Sequence, residues 1–231
     1  GVEVIDDYAF YYCSSLDGTL TLPSTLKEIG DHAFEECSSL TGNLTLPEFL
    51  EKIGEDAFYR CRGFYGELHL PNSLKEIGRR AFSECQGLTG SLTIPQGITK
   101  INDETFYNCG FNGNLYLPDG ITDIDGDAFF ACKFRGELVL PKNLKSIGDA
   151  AFFHCSFSGT LHLPATLLSI GEEAFYNNKQ LTGTLEIPEK ITSIKESAFG
   201  GCSQIEGLVL PANMETINSS AFVNCFNIGS I

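Results

Sequence analysis

The chain has 231 residues, 42% of them hydrophobic, with 15 Lys and Arg against 30 Asp and Glu, a formal net charge of −15 and a pI near 4.5. That apolar content excludes a disordered chain. A surface this acidic repels phosphate backbones and anionic headgroups, so no nucleic acid and no membrane surface is expected as a partner. No run of 18 apolar residues occurs, so no transmembrane helix and no membrane insertion are expected.

The pattern along the chain is a repeat. All nine prolines fall in one column, at 23, 47, 71, 95, 118, 141, 164, 188 and 211, spaced by 23 or 24 residues. All nine cysteines fall in a second column (13, 37, 61, 85, 109, 132, 155, 202 and 225), whose one other member is Asn178. Two scarce residue types confined to single columns identify a solenoid of nine to ten coils, in which each unit buries its apolar face only by stacking on its neighbours. The chain opens at Val4-Ile5 with no strand before it and closes at Gly229-Ser230-Ile231, where another strand is due. It is therefore read as a piece of a longer array, and the lack of a recognisable signal peptide carries no weight. Residues 1–231 are expected to form a single repeat domain, truncated within a repeat at both ends.

Within each coil three elements follow in order. Gly-x-Leu-x-Leu-Pro alternates apolar and polar side chains, as in Gly42-Asn43-Leu44-Thr45-Leu46-Pro47. This is the period of a short half-buried strand, ended by a proline that has no N–H for the ladder. Leu-x-x-Ile follows, with Ile at the sixth position after every proline from Ile29 to Ile217; it predicts a second short extended or irregular segment. Then comes Ala-Phe-x-x-Cys, preceded by acidic residues such as Asp31, Glu55, Asp103 and Asp149. Carboxylates there suit the N-terminus of a short helical turn, and the Phe–Cys spacing of three puts both on one face of it.

The string Leu-Pro-x-x-Leu-x-x-Ile-Gly-x-x-Ala-Phe-x-x-Cys resembles the BspA-like leucine-rich repeat over essentially the whole chain. The resemblance implies an α/β repeat solenoid, a curved right-handed superhelix with a parallel sheet on one face and short helical turns. It also implies an extracellular or cell-surface setting, since that family occurs in bacterial and protist surface proteins, some of them adhesins toward host proteins. The chain departs from the family in a Leu-Thr-Gly-Asn-Leu-Thr-Leu-Pro segment one residue longer than the usual one. The coils ending at Pro118, Pro141, Pro164 and Pro211 are one residue short between Cys and Pro, and the first three carry Phe111, Phe134 or Phe157 in place of Leu. A local change of curvature or twist is expected there.

Candidate chemistry is sparse. Nine cysteines cannot all pair and show no CxxC spacing, so they read as small core residues. Of the four histidines, 32, 69, 154 and 162, His69 and His162 share an outward strand position, but four strands at ~4.8 Å place them about 19 Å apart. Asp123-Ile-Asp125-Gly-Asp127 begins like a calcium loop but reaches Phe134 where the closing Glu belongs. No catalytic residue, no metal and no cofactor is expected, and the chain is read as no enzyme.

Two surface features stand apart from the repeat. The position after the repeat Phe carries Tyr11, Tyr59, Tyr107, Phe130, Phe153 and Tyr176, a stripe that either contacts a partner or seals seams between coils. The outward strand column contains His69, Tyr116, Val139, His162 and Glu186 among threonines, and these are the candidate partner-binding residues. The expected function is a non-catalytic, adhesin-like interaction module for a host or neighbouring-cell protein or glycan. The alternative is a spacer or stalk segment of a larger surface protein, which would keep its outward positions uniform and polar.

Overall fold

The computed structural model describes residues 1–230. It is a parallel β-solenoid of about nine turns in which a single cluster of buried apolar residues runs from Leu26 to Ala221. Leu, Ile, Phe and Cys of each coil sit over their equivalents. The buried Phe34, Phe58, Phe82, Phe106, Phe129, Phe152, Phe175 and Phe199 form one column of parallel rings with centroids 5.4–5.6 Å apart. Offset aromatic pairs at this separation add to the large apolar area each ring removes from water.

All strand pairing is parallel, with one register shift between Gly183 and Thr184, and the most regular ladder is not the one ending in proline. The two-residue segments ending in the column isoleucine form two four-stranded sheets, Ile5–Ile29–Ile53–Ile77 and Ile101–Ile124–Ile147–Ile170, and a pair Ile194–Ile217. The Leu-Pro strands pair in shorter groups, the longest being Ser158–Thr160, Gln180–Glu186 and Ile205–Val209. Among the described residues no strand is assigned on this face between Tyr116 and Ser158: the short coil with Phe134 has none, while those with Phe111 and Phe157 keep Leu115–Tyr116 and Ser158–Thr160. Hydrogen bonds persist at Lys133 N–H to Phe111 O and Arg135 N–H to Gly113 O. The Phe rings fill the column by stacking on one another and edge-on against the main Phe stack. Assigned strand pairing is thus interrupted on both sides of the Phe134 coil, while the short coil ending at Pro211 is accommodated by the register shift at Gly183/Thr184. At the far end, Gly229 and Ser230 bond Glu206 and Leu208, while the rest of the strand expected there, Ile231, lies outside the described residues.

The expected helical turns are absent: no helix occurs among the described residues. Ala-Phe-x-x-Cys instead forms consecutive tight turns with a left-handed residue at each end. The first left-handed column is Tyr8, His32, Asp56, Arg80, Glu104, Asp127, Ala150, Glu173, Ser197 and Ser220, with φ of 50–59°. The second includes Tyr12, Glu36, Arg60, Glu84 and Asn108. Spacing decides this. Packed helix axes need about 8–10 Å, whereas the coils lie one ring stack apart, 5.4–5.6 Å. Left-handed backbone costs ~1–2 kcal/mol per residue, but it turns N–H groups toward the next coil. His32 donates to Glu55 O at 2.7 Å, Phe34 to Ala57 O at 2.8 Å and Glu36 to Tyr59 O at 2.9 Å, three rungs per coil that replace intrahelical bonds. The acidic residues read as helix caps serve this same ladder: Asp31 Oδ1 accepts from Glu55 N–H and Asp149 Oδ1 from Glu172 N–H.

The cysteine column has a hydrogen-bonding role besides packing. Each buried thiol donates to the Phe carbonyl of the preceding coil, as Cys85 does to Phe58 O at 3.1 Å. Asn178, the exception, donates through Nδ2 to Phe152 O at 2.8 Å and so keeps the bond, but its Oδ1 is buried without a partner. An unsatisfied buried carbonyl costs ~1–3 kcal/mol. Asn178→Cys is therefore expected to raise stability by about 1 kcal/mol, measured by urea unfolding in reducing buffer.

Candidate functional site

The outward column of the Leu-Pro strands is solvent-facing along its length. His69, Tyr116, Val139, His162 and Glu186 are all exposed, Tyr116 at 52% and Val139 at 65%. Alternation of side chains about buried Leu68, Leu115, Leu138 and Leu161 puts them on one face. Neighbouring positions join them: Asn114 Nδ2 donates to Tyr116 Oη at 3.0 Å, and Glu67 Oε2 lies 3.9 Å from His69 Nε2. Sequence reasoning missed Tyr65, which is 59% exposed on the same coil as Glu67 and His69. Its column otherwise holds Asp, Thr, Asn, Arg, Ser and Ile, so nothing in the repeat singles it out.

The aromatic stripe divides in two. Tyr107, Phe130, Phe153 and Tyr176 form a continuous half-buried stack with centroids 4.7, 4.6 and 5.2 Å apart. Tyr59 is separated from it by Ser83 and lies instead under the guanidinium groups of Arg60 and Arg80, 4.8 and 5.2 Å from its centroid. Tyr11 stands at the first coil, edge-on to His32.

The acidic run at 123–127 is dispersed rather than convergent. Asp123 accepts from the hydroxyls of Ser146 and Thr122, which hold its carboxyl below the usual range. Asp125 pairs with Lys100 at 2.7 Å. Asp127 is pushed up to about 6 by burial and then by the surrounding charges of Glu104, Asp103, Asp149 and Glu173. A carboxyl raised in the folded state above its ordinary ~3.9 holds its proton more tightly when folded. Its penalty is present above about pH 6 and fades as pH falls toward ~4. Asp127→Asn, which also suits the left-handed backbone, is expected to stabilise the chain by about 1 kcal/mol at neutral pH, with the gain gone near pH 4. Thermal melts at the two pH values check this.

The buried thiols are chemically quiet. Burial pushes Cys85 and Cys132 up to about 12 and Cys37 to about 11. A thiol so far from ionising at neutral pH is neither nucleophile nor metal ligand.

One cluster of metal-ligating side chains does form among the described residues, where none was expected: His32, Glu35 and Asp56, with one donor atom of each within 4.8 Å of the others. His32 and Asp56 occupy the same left-handed column on successive coils, and Glu35 lies three residues after His32. His32 Nδ1 is 2.5 Å from Glu35 Oε2 and 3.7 Å from Asp56 Oδ2. Asp56 is 1% exposed, paired through Oδ2 with Arg80 Nη2 at 2.7 Å, while its Oδ1 has no hydrogen-bond partner.

With coils, columns and surfaces in place, the comparison with known families is unambiguous. The BspA type leucine rich repeat region matches in 6 copies, over residues 3–135 and 128–231. The chain belongs to the BspA-type leucine-rich-repeat family. No curated protein matches this sequence. Among solved structures, this BspA-type chain is similar to a leucine-rich repeat protein from Bacteroides ovatus, at 24% identity and a TM-score of 0.58, over 100% of this chain and 70% of that one. It is also similar to one from Eubacterium ventriosum, at 17% identity and a TM-score of 0.58, over 100% and 76%. A leucine rich cell surface protein from Faecalibacterium prausnitzii aligns over 100% and 76% with 23% identity and a TM-score of 0.48. At these identities the first two likenesses are of fold. Leucine-rich repeats of this kind commonly mediate surface protein interactions.

Proposed function

We propose that this BspA-type array is a non-catalytic interaction module of a cell-surface or secreted protein, and that it binds a protein or glycan through the exposed face of its Leu-Pro strands. The observation that carries the reading is the set of Tyr65, Tyr116, Val139 and Val209, each more than half exposed on a face whose other central outward positions are Thr, His and Glu. Scattered single apolar residues need no explanation, but aromatic and aliphatic side chains aligned along a rigid face do. Nine coils at ~5 Å give a face about 45 Å long, enough for a standard interface. A filled core and buried thiols held protonated speak against catalysis, since among the described residues no polar groups converge in an enclosed pocket on this face. Setting and partner rest on family membership.

The test is binding of this chain to immobilised host matrix proteins and glycans, with Tyr116→Ala and Val139→Asp as variants. A partner whose affinity falls at least about tenfold in either variant, with melting temperature unchanged, supports the face assignment. A longer protein that binds through other regions while this chain never does would establish the spacer reading instead.

A further inference from the structure

We propose that His32, Glu35 and Asp56 form a binding site for one divalent transition-metal ion of the zinc class, bridging two successive coils on the turn side. The donor set is one imidazole nitrogen and two carboxylates, which suits zinc and its neighbours better than calcium or magnesium, whose ligands are oxygen alone. Tetrahedral bonds of ~2.0–2.2 Å place donors about 3.3–3.5 Å apart. The separations of 2.5 and 3.7 Å around His32 Nδ1 bracket that value, and a rotation of the Glu35 carboxylate opens the shorter one.

A hydrogen-bonded triad without metal leaves two facts unexplained. Asp56 is 1% exposed, yet its Oδ1 has no partner. Two carboxylates also converge on the one His32 Nδ1, and among the described residues Arg80 is the only Lys or Arg paired with either of them. A divalent cation held by the Asp56 carboxylate balances that charge, and a turn of this carboxylate would offer it Oδ1 while Oδ2 keeps Arg80. The imidazole is also fixed in orientation, because the Tyr8 ring stacks on it at 4.6 Å and 11°. Arg80, donating to Oδ2, orients the Asp56 carboxylate as an outer partner does in metal sites. His32 and Glu35 are 23% and 12% exposed, so water reaches the ion to complete its coordination. The repeat builds such a site once, because only here do His and Asp succeed one another in the left-handed column with a carboxylate three residues beyond the His.

The proposal is tested by titrating the whole chain, stripped by chelator and returned to chelator-free reducing buffer, with zinc chloride alone against a zinc indicator. One equivalent is expected to bind. His32→Gln and Asp56→Asn are each expected to weaken it at least about 100-fold, while His69→Gln on the strand face leaves it unchanged. Should either variant fail to fold, cobalt(II) substitution in the unaltered chain decides. Visible d–d bands of a four- or five-coordinate ion without a thiolate charge-transfer band support the site. No saturable binding at micromolar zinc, binding that survives His32→Gln, or a thiolate band overturns it.

Discussion

Phe129→Ala is expected to remove about 3–5 kcal/mol of stability, close to the upper range for a buried ring. Phe129 is fully buried, stacked on Phe106 at 5.6 Å and Phe152 at 5.5 Å, and meets Phe134 edge-on at 6.0 Å. Collapse into the cavity is opposed from both sides, because the neighbouring coils are pinned at one ring spacing by three backbone rungs each. In a solenoid stability is approximately a sum of coil and nearest-neighbour terms, so the substitution weakens two interfaces together. Against a typical total of ~5–15 kcal/mol this is a large fraction. Phe10→Ala at the first coil is the contrast. That ring is 39% exposed and stacks on Phe34 alone, and its loss is expected to cost less than half as much. Urea unfolding followed by far-ultraviolet circular dichroism compares the two. Equal costs would show that the column does not act through its neighbours.

The residues most legible in the sequence are those whose role repeats without variation. Cys, Ile and Phe columns report the same burial in nearly every coil, and the Pro column marks the same period of 23–24 residues, so the period locates the core. The turn segment reads as helix for a physical reason. Tyr8, His32, Asp56 and Arg80 bear no mark of left-handed backbone, and Asp or Glu ahead of Ala-Phe is what a helix start looks like. Only the inter-coil distance decides between helix and stacked turns, and that distance is a tertiary quantity. The Ile ladder is hard to recognise because two residues of extended chain give no alternation to see. The metal-ligating cluster is legible in principle, since adding one period of 24 to His32 gives Asp56. Reading the histidines as strand-face bases at 69 and 162 hides it, because that reading ignores the column in which His32 stacks. Tyr65 is obscured because its column has no consistent chemistry.

Arg80→Ala is expected to cost about 3 kcal/mol, while Lys142→Ala costs less than about 0.5 kcal/mol, although each removes one ion pair of similar length. Lys142 and Asp119 are 2.6 Å apart but 72% and 57% exposed, so water and salt replace the lost partner. Arg80 meets Asp56 at 2.7 Å, and that carboxylate is 1% exposed with its other oxygen already unpartnered. Removing the guanidinium leaves a buried anion with the His32 ring 3.7 Å away and no Lys or Arg paired with it among the described residues. Backbone strain does not confound the comparison, since Ala150 already occupies the same left-handed column at φ 50°. The two losses are distinguished by salt. Raising ionic strength to about 0.5 M abolishes the Lys142 effect and leaves the Arg80 effect in place. A double-mutant cycle with Asp56→Asn is expected to return a coupling of about 2 kcal/mol. A coupling near zero would mean that Arg80 acts through its packing over Tyr59 rather than through the carboxylate.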